Sequence, residues 1–286
     1  MSIELKDVGY TYMKGTPFER TALAHVNVVI EEGSFTAIAG HTGSGKSTLV
    51  QIIAGLLRPT EGKILVDGID LGASGRKGKQ AAREARRKVG MVFQYPEHQL
   101  FEETVQADIA FGPRNLGLEE SEITGRVREA MELTGLDYED WKDEDPFRMS
   151  GGQKRRAAIA GVLAMRPKYL VLDEPTAGLD PKGREKILNE IRKLHENGRR
   201  TILLISHNMD DIARFADRVI ILHQGKCLLE DTPEQVFRQR DVLQAAGLHP
   251  PRITMLLEEL RAQGIDVPAH AIRLKEGIDE ILQACR

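Results

Sequence analysis

Short continuous apolar runs recur along the first 240 residues: Phe35–Ala39, Val89–Phe93, Tyr169–Leu172 and Thr201–Ile205. They are too short for buried helices and too unbroken for half-exposed strands, so they predict strands covered on both faces by other layers. Three other stretches differ. Ile3–Tyr12 alternates and predicts an antiparallel strand, Val26–Ile30 predicts another closed by Glu31-Glu32-Gly33, and Lys63–Val66 a third ending at the turn Asp67-Gly68. Arg218–Leu222 and Cys227–Glu230 pair as a hairpin across His223-Gln224-Gly225. Helical spacing marks Thr48–Leu57, stopped by Arg58-Pro59, and Lys182–Glu196. Between Tyr95 and about Met165 the pattern turns helical, with Val105–Phe111, Ile123–Leu133 and Gln153–Met165. Asp137–Pro146 is acidic and predicts a surface linker with Trp141 as a local anchor. Beyond Thr232-Pro233 the chain is helical again, broken at Gly247–Pro251. Ile253, Leu256, Leu257 and Leu260 then recur at i, i+3, i+4, i+7 up to Gly264, and Ile278, Ile281 and Leu282 repeat the pattern on a last helix.

The candidate chemistry sits at the ends of these runs. Gly40-His41-Thr42-Gly43-Ser44-Gly45-Lys46-Ser47, followed by Thr48, fits G-x-x-x-x-G-K-[ST] between a strand and a helix. Glycines there turn backbone N–H groups toward anionic oxygens, and the helix N-terminus adds partial positive charge. Lys46 is placed to reach β- and γ-phosphates, and the Ser47 hydroxyl to ligate Mg²⁺. Asp173 and Glu174 follow a buried run, where a sheet binds its ligands. Asp173 suits the metal shell, and Glu174 can take a proton from an attacking water. Gln94 ends another such run with a carbonyl for metal or water, and His207 ends a third as a candidate γ-phosphate sensor. Ser150-Gly151-Gly152-Gln153 opens a helix with a capping serine and paired glycines, a second N-terminus suited to phosphate. Tyr12, at a strand end, is the candidate for stacking on a nucleobase, against the competing reading of a packed aromatic.

Composition narrows the class. The chain has 286 residues, a formal net charge of −3 and 5% aromatics, so its core is aliphatic and no global charge draws it to nucleic acid or anionic membrane. Arg76–Lys88 holds seven Lys/Arg against one Glu, which reads as a solvated helical face or a contact for an acidic partner. Without interleaved aromatics it does not read as a nucleic-acid surface. Cys227 and Cys285 form no disulfide framework and no metal spacing. No apolar run approaches the roughly 18 to 20 residues that span a bilayer, and the N-terminus lacks a secretory pattern, so a membrane role must come through a partner.

Together these stretches resemble the nucleotide-binding subunit of an ATP-binding cassette (ABC) transporter over about residues 1–240. The resemblance rests on the P-loop Gly40–Ser47, Gln94 as Q-loop, the signature Met149–Gln153, the Walker B end Leu170–Glu174, the D-loop Ala177–Asp180 and His207 as H-switch. Met149 stands where Leu is commonest, a change of apolar packing only. Gln94–Phe101 followed by Glu103-Thr104-Val105, and the helices after Pro250, are similar to the ATPases of energy-coupling factor (ECF) importers. Gly15–Glu19 with Gly40–Gly43 resembles the second of the two ECF ATPases.

The resemblance implies an α/β fold: a P-loop NTPase (RecA-like) core with an antiparallel β-subdomain, an inserted helical subdomain and a small helical C-terminal extension. It divides the chain into a nucleotide-binding domain at 1–240, with the helical subdomain at about 96–167, and an extension at 241–286. It implies ATP and Mg²⁺, a second ABC ATPase sharing the nucleotides, a transmembrane scaffold, a separate substrate-binding membrane subunit for vitamins or metal ions, and a peripheral position on the cytoplasmic face of the cell membrane. Ser150 and Gly152 would serve the partner cassette's nucleotide, and a groove at Tyr95, Pro96, Leu100 and Phe101 would seat the scaffold. DNA-acting cassettes carry long heptad arms and cassette translation factors carry two P-loops, and neither feature occurs here. An ABC importer ATPase with a dedicated permease is the rival reading.

Overall fold

In the computed structural model, which describes residues 1–198, 200–268 and 270–284, two sheets and a helical block meet around the loop after Ala39. The strands are β1 (Ser2–Tyr12), β2 (Arg20–Glu31), β3 (Phe35–Ala39), β4 (Glu61–Val66), β5 (Ile69–Asp70), β6 (Val89–Val92), β7 (Tyr169–Asp173), β8 (Thr201–Ile205), β9 (Arg218–His223) and β10 (Lys226–Asp231). The helices are α1 (Lys46–Ile53), α2 (Gly75–Arg87), α3 (Val105–Asn115), α4 (Glu120–Leu133), α5 (Tyr138–Trp141), α6 (Gly151–Ala164), α7 (Pro181–Gly198), α8 (Met209–Phe215), α9 (Pro233–Val236), α10 (Arg240–Ala245), α11 (Arg252–Ala262) and α12 (Leu274–Ala284).

The larger sheet has the order β10-β9-β3-β8-β7-β6 and is parallel except for β10, which pairs antiparallel with β9. Its strands are apolar on both faces because two layers cover them. Phe35, Ala37, Leu170, Leu172, Ile202, Leu204, Val219 and Ile221 join the core that includes α3, α4 and α6. The alternate residues Ile38, Tyr169, Val171, Leu203, Ile205, Ile220 and Leu222 join a second core with α1 and the smaller sheet. That smaller sheet is antiparallel, in the order β2-β1-β4-β5. In the parallel sheet Ile38 and Asp173 both align with Ile205. The chain therefore leaves β3, β8 and β7 side by side, at Gly40, Ser206 and Glu174.

Three local expectations are corrected. α1 ends at Ile53, short of Leu57, because Gly55 takes a left-handed φ of 71° before Arg58-Pro59 is reached. The acidic stretch 137–146 is not a plain linker: the Asp137 side chain caps α5 on the Asp140 N–H at 3.1 Å, and Tyr138 is buried with its hydroxyl donating to Gln106 Oε1 at 2.8 Å. Trp141 does anchor there, half-buried against the helical core. On α11 the inward face is Ile253, Leu257 and Leu260, packed with Val267, Ala271 and Ile281, while Leu256 is exposed. Ile278 and Leu282 of α12 are also exposed. α2 turns Ala82 and Ala85 inward and leaves Arg76, Lys77, Lys79, Arg83, Arg86 and Arg87 exposed, a solvated face. Cys285 lies outside the described residues; Cys227 is a half-buried free thiol.

One ionic cluster ties the sheets together at the edge away from the P-loop. Asp67, in the β4–β5 turn, accepts from Lys88 Nζ at 2.7 Å, Lys168 Nζ at 3.0 Å and the Tyr169 hydroxyl at 2.5 Å. Burial pushes its carboxyl up, but the bonds from Lys88, Tyr169 and Lys168 outweigh that and hold its pKa down at about 2. A carboxyl depressed on folding adds stability above its unfolded value, and that stability is lost as pH falls through the folded one. Asn tolerates the left-handed φ of 51° at this turn, so Asp67→Asn removes charge without adding backbone strain. Both lysines remain partly hydrated, so we expect a loss of about 1–2 kcal/mol at pH 7. In denaturant titrations the gap from wild type should close between about pH 4 and pH 2; a gap that stays constant over that range would contradict the assignment.

Candidate active site

The loop after β3 is shaped by what cannot fit in it. A Cβ on Gly40 would stand 2.3 Å from the Leu222 carbonyl oxygen and 2.6 Å from Ser44 Oγ. Gly45 holds a φ of 104°, and a Cβ there would stand 2.6 Å from the Ala22 carbonyl oxygen, so no L side chain is accommodated. α1 starts at once, directing its N-terminal N–H groups into the loop. Lys46 is buried, and its Nζ donates to the Gly40 carbonyl at 2.7 Å and the His41 carbonyl at 2.9 Å. Burial pushes its pKa down, partly offset by Glu174 and Asp173. Ser44 Oγ is fully buried and has no hydrogen-bond partner among the described residues. A buried cation beside a helix N-terminus forms a site built for an anion.

A cleft of ≈370 Å³ opens in front of this loop. Thr42, Gly43, Gly45, Lys46, Ser47 and Thr48 line it, with Tyr12 at one side and Gln94, Asp173 and Glu174 at the other. The Tyr12 hydroxyl is 3.0 Å from Thr48 Oγ1, and the Tyr12 ring packs edge-on to Tyr10 at 4.8 Å. Tyr12, not Tyr10, borders the cleft. Gly40, His41 and Ser44 stand behind it; the His41 Nδ1 donates to the Thr42 carbonyl at 2.6 Å.

The acidic pair divides into unlike environments. Asp173 is buried, which pushes its carboxyl up despite a hydrogen bond from the Ser47 hydroxyl. Glu174 is held at a left-handed φ of 47°, its N–H bonded to the Ile205 carbonyl at 3.1 Å. Its two oxygens have separate partners: His207 Nδ1 lies 3.1 Å from Oε1, and Gln94 Nε2 donates to Oε2 at 3.3 Å. Residues from the ends of β6, β7 and β8 thus converge on one carboxylate. The Ser47 hydroxyl, the Asp173 carboxylate and the Gln94 amide oxygen are hard donors that suit Mg²⁺. Among the described residues no group of three or more His, Cys, Asp or Glu forms a metal cage. A cation here would complete its shell from phosphates and water, as Mg²⁺ does.

Ser150, Gly151, Gly152 and Gln153 are not brought to this cleft. They cap α6: the Gln153 N–H donates to Ser150 Oγ at 3.4 Å, and the Ser150 N–H to Gln153 Oε1 at 2.9 Å. A Cβ on Gly151 or Gly152 would meet nothing within 4 Å, so this helix end opens outward. Sequence reading missed Arg20, Thr21 and Ala22, which also line the cleft. β1–β2 pairing puts Arg20 opposite Tyr12, a register that no local pattern announces.

Residues 23–177 match the ABC transporter family. The chain belongs to the ABC transporter family. This ABC cassette is 51% identical, over 99% of its own length and 98% of the relative's, to the energy-coupling factor transporter ATP-binding protein EcfA2 of Clostridium acetobutylicum. Its fold matches CbiO1 of Clostridium perfringens, described as part of the ABC transporter complex CbiONQ, with a TM-score of 0.74 and 39% identity over 90% of this chain and 98% of that one. It also matches a dimeric ATP-binding cassette in a post-hydrolysis state bound to ADP and Pi, with a TM-score of 0.70 and 34% identity over 81% of this chain and 98% of that one. The RecA-like α/β cassette fold and an ATP-hydrolysing subunit of the ECF type are thereby established, and the rival importer reading falls away.

Ser44 separates the backbone of the loop from its side chains. Ser44→Ala removes a buried hydroxyl that has no partner among the described residues and lies behind the cleft. Its melting temperature should hold or rise, and affinity for ATP should stay within about threefold, because only the backbone of this residue can serve a phosphate. A loss of affinity of about tenfold in calorimetry would contradict this.

Proposed function

We propose that this cassette binds ATP at the Gly40–Ser47 loop and that Glu174 takes the proton of the water that attacks the γ-phosphorus. The observation that carries this reading is the Glu174 carboxylate, oriented by His207 at 3.1 Å and Gln94 at 3.3 Å and lining the same cleft as Lys46 and Ser47. Lys46, now bonded to the Gly40 and His41 carbonyls, would exchange them for β- and γ-phosphate oxygens. The backbone N–H groups of the loop, from His41 to Ser47, and of Thr48 would take the others, with Tyr12 against the base. Ser47, Asp173 and Gln94 would hold Mg²⁺, which supplies charge neutralisation on the phosphates. Glu174 accepts one water proton as the water oxygen bonds to phosphorus, and the bridging oxygen leaves with ADP. His207, exposed and fixed on Glu174, would report the γ-phosphate.

The capped, outward-opening Ser150–Gln153 supports a composite site in which these residues meet the nucleotide of a second cassette. The exposed aromatics around the turn Pro96–Gln99 support the membrane partner: Pro96 and Leu100 are buried, Tyr95 and Phe101 are exposed beside them, and Phe101 is edge-on to the exposed Phe111 at 4.9 Å. Among the described residues no helix is long and apolar enough to cross a membrane. We assign the chain to the cytoplasmic face of the membrane through this surface, beneath a scaffold that works with a separate substrate-binding membrane subunit for vitamins or metal ions. The nucleotide-binding part at 1–240, with its helical insertion at about 96–167, would do this work, and 241–286 would form an appended unit with the small core of α11 and α12.

In the assembled transporter, Glu174→Gln should lower ATP turnover by about 10²–10⁴-fold while ATP still binds. Near-normal turnover would remove Glu174 from the role. Chelation with EDTA should stop hydrolysis, and excess Mg²⁺ should restore it; full activity after metal removal would overturn the assignment of Ser47, Asp173 and Gln94.

A further inference from the structure

Arg155 leads the large side chains that are fully buried, with 2% of its surface exposed. A guanidinium stays charged in a protein, and burying it without partners is costly. This one makes four hydrogen bonds. Its Nε donates to Glu97 Oε2 at 3.0 Å and its Nη2 to Oε1 at 2.6 Å, a two-pronged pair. Its Nη1 donates to the carbonyls of Pro175 at 3.2 Å and Ala177 at 2.6 Å. Burial pushes the Glu97 carboxyl up, but the bonds from Arg155 outweigh it, and the carboxyl stays below its usual range.

Three segments meet on this side chain. Arg155 lies on α6 just behind Ser150–Gln153. Glu97 lies in the short 3-10 turn Pro96–Gln99, inside the stretch proposed above to meet the membrane partner. Pro175 and Ala177 directly follow Glu174, in a turn closed by the Ala177 N–H on the Glu174 carbonyl at 3.0 Å. The backbone at both ends of the link is in the left-handed region, with φ of 55° at Tyr95 and 47° at Glu174, so surrounding contacts must hold it there. The other link between the two segments, Gln94 to Glu174, is a 3.3 Å contact from an exposed side chain. The buried link is the stiffer one.

We propose that Arg155 is a positioning residue: through its fork on Glu97 and its grip on the Pro175 and Ala177 carbonyls, it makes a partner seated on the Tyr95–Phe101 surface set the attitude of Glu174. Arg155 does not line the cleft, so it acts through Glu174 and not on the nucleotide. The inference rests on the reading of Glu174 as proton acceptor. A lysine keeps the charge but cannot bridge two carboxylate oxygens and two carbonyls from one planar group.

The test uses the complete transporter in lipid vesicles, with Glu97→Gln, Arg155→Lys, the double variant and Glu174→Gln side by side. Turnover is expressed per bound nucleotide, so that misfolded protein is not counted. Glu97→Gln and Arg155→Lys should each keep nucleotide affinity and KM within about threefold and lower kcat about tenfold or more. The double variant should be no worse than the worse single one. The ratio of turnover in the complete transporter to that of the ATPase pair without membrane subunits should fall toward one in all three. If Arg155 only stabilises the fold, melting temperature and nucleotide stoichiometry drop while kcat per site and that ratio hold, and the proposal is overturned. Wild-type kcat in Glu97→Gln beside an inactive Glu174→Gln overturns the proposal alone. Should Glu174→Gln remain active, the reading beneath it fails as well.

Discussion

The register of three adjacent parallel strands is the constraint on which the rest depends. Ile38 of β3 and Asp173 of β7 both align with Ile205 of β8, so three loops leave the sheet at one level. A slip of one residue would exchange the two cores, because Leu170 and Leu172 belong to one and Tyr169 and Val171 to the other. The helical block on one face and the antiparallel sheet on the other therefore fix the height at which Lys46, Glu174 and His207 meet. Gln94, Glu174 and His207 each stand within two residues of a strand end, and Lys46 opens the helix that follows the loop after β3.

Its electrostatics follow from that convergence. Lys46, Asp173 and Glu174 are crowded into a partly dry cleft where Lys46 is pushed down and Asp173 up by burial. In the proposed function, anions and a hard cation would relieve both strains, phosphates by pairing with Lys46 and Mg²⁺ by pairing with Asp173. Glu174 is treated differently: it is less buried, has a separate partner on each oxygen, and is gripped from behind through Pro175 and Ala177. The proposed division of labour follows: one acid would hold charge and its neighbour would move a proton.

Much of this was legible in the sequence because it is local. Strands covered on both faces leave unbroken apolar runs, and Phe35–Ala39 and Thr201–Ile205 match β3 and β8 residue for residue. Strand, glycine loop and helix are contiguous, so the P-loop could be placed. What escaped depends on distant partners. Tyr138 was hidden in an acidic stretch, and its burial comes from packing against the helical block. Leu256 and Leu257 both fit a helical stripe, and only the position of Val267 and Ala271 decides which turns inward. Arg20 reaches the cleft through pairing with β1. Arg155 stands between Lys154 and Arg156 in what looks like a solvated basic run, and only the fold encloses it.

The proposed function joins an ATP site, an outward-facing second helix end and an exposed aromatic surface into half of a membrane machine. Mild-detergent purification of the tagged chain from its own membranes, with every co-purifying protein identified, tests that assembly most directly. A second cassette, one small scaffold and several unrelated small membrane proteins are the expected companions. A single large permease pair, or a protein that comes down alone or with DNA or ribosomes, would contradict it.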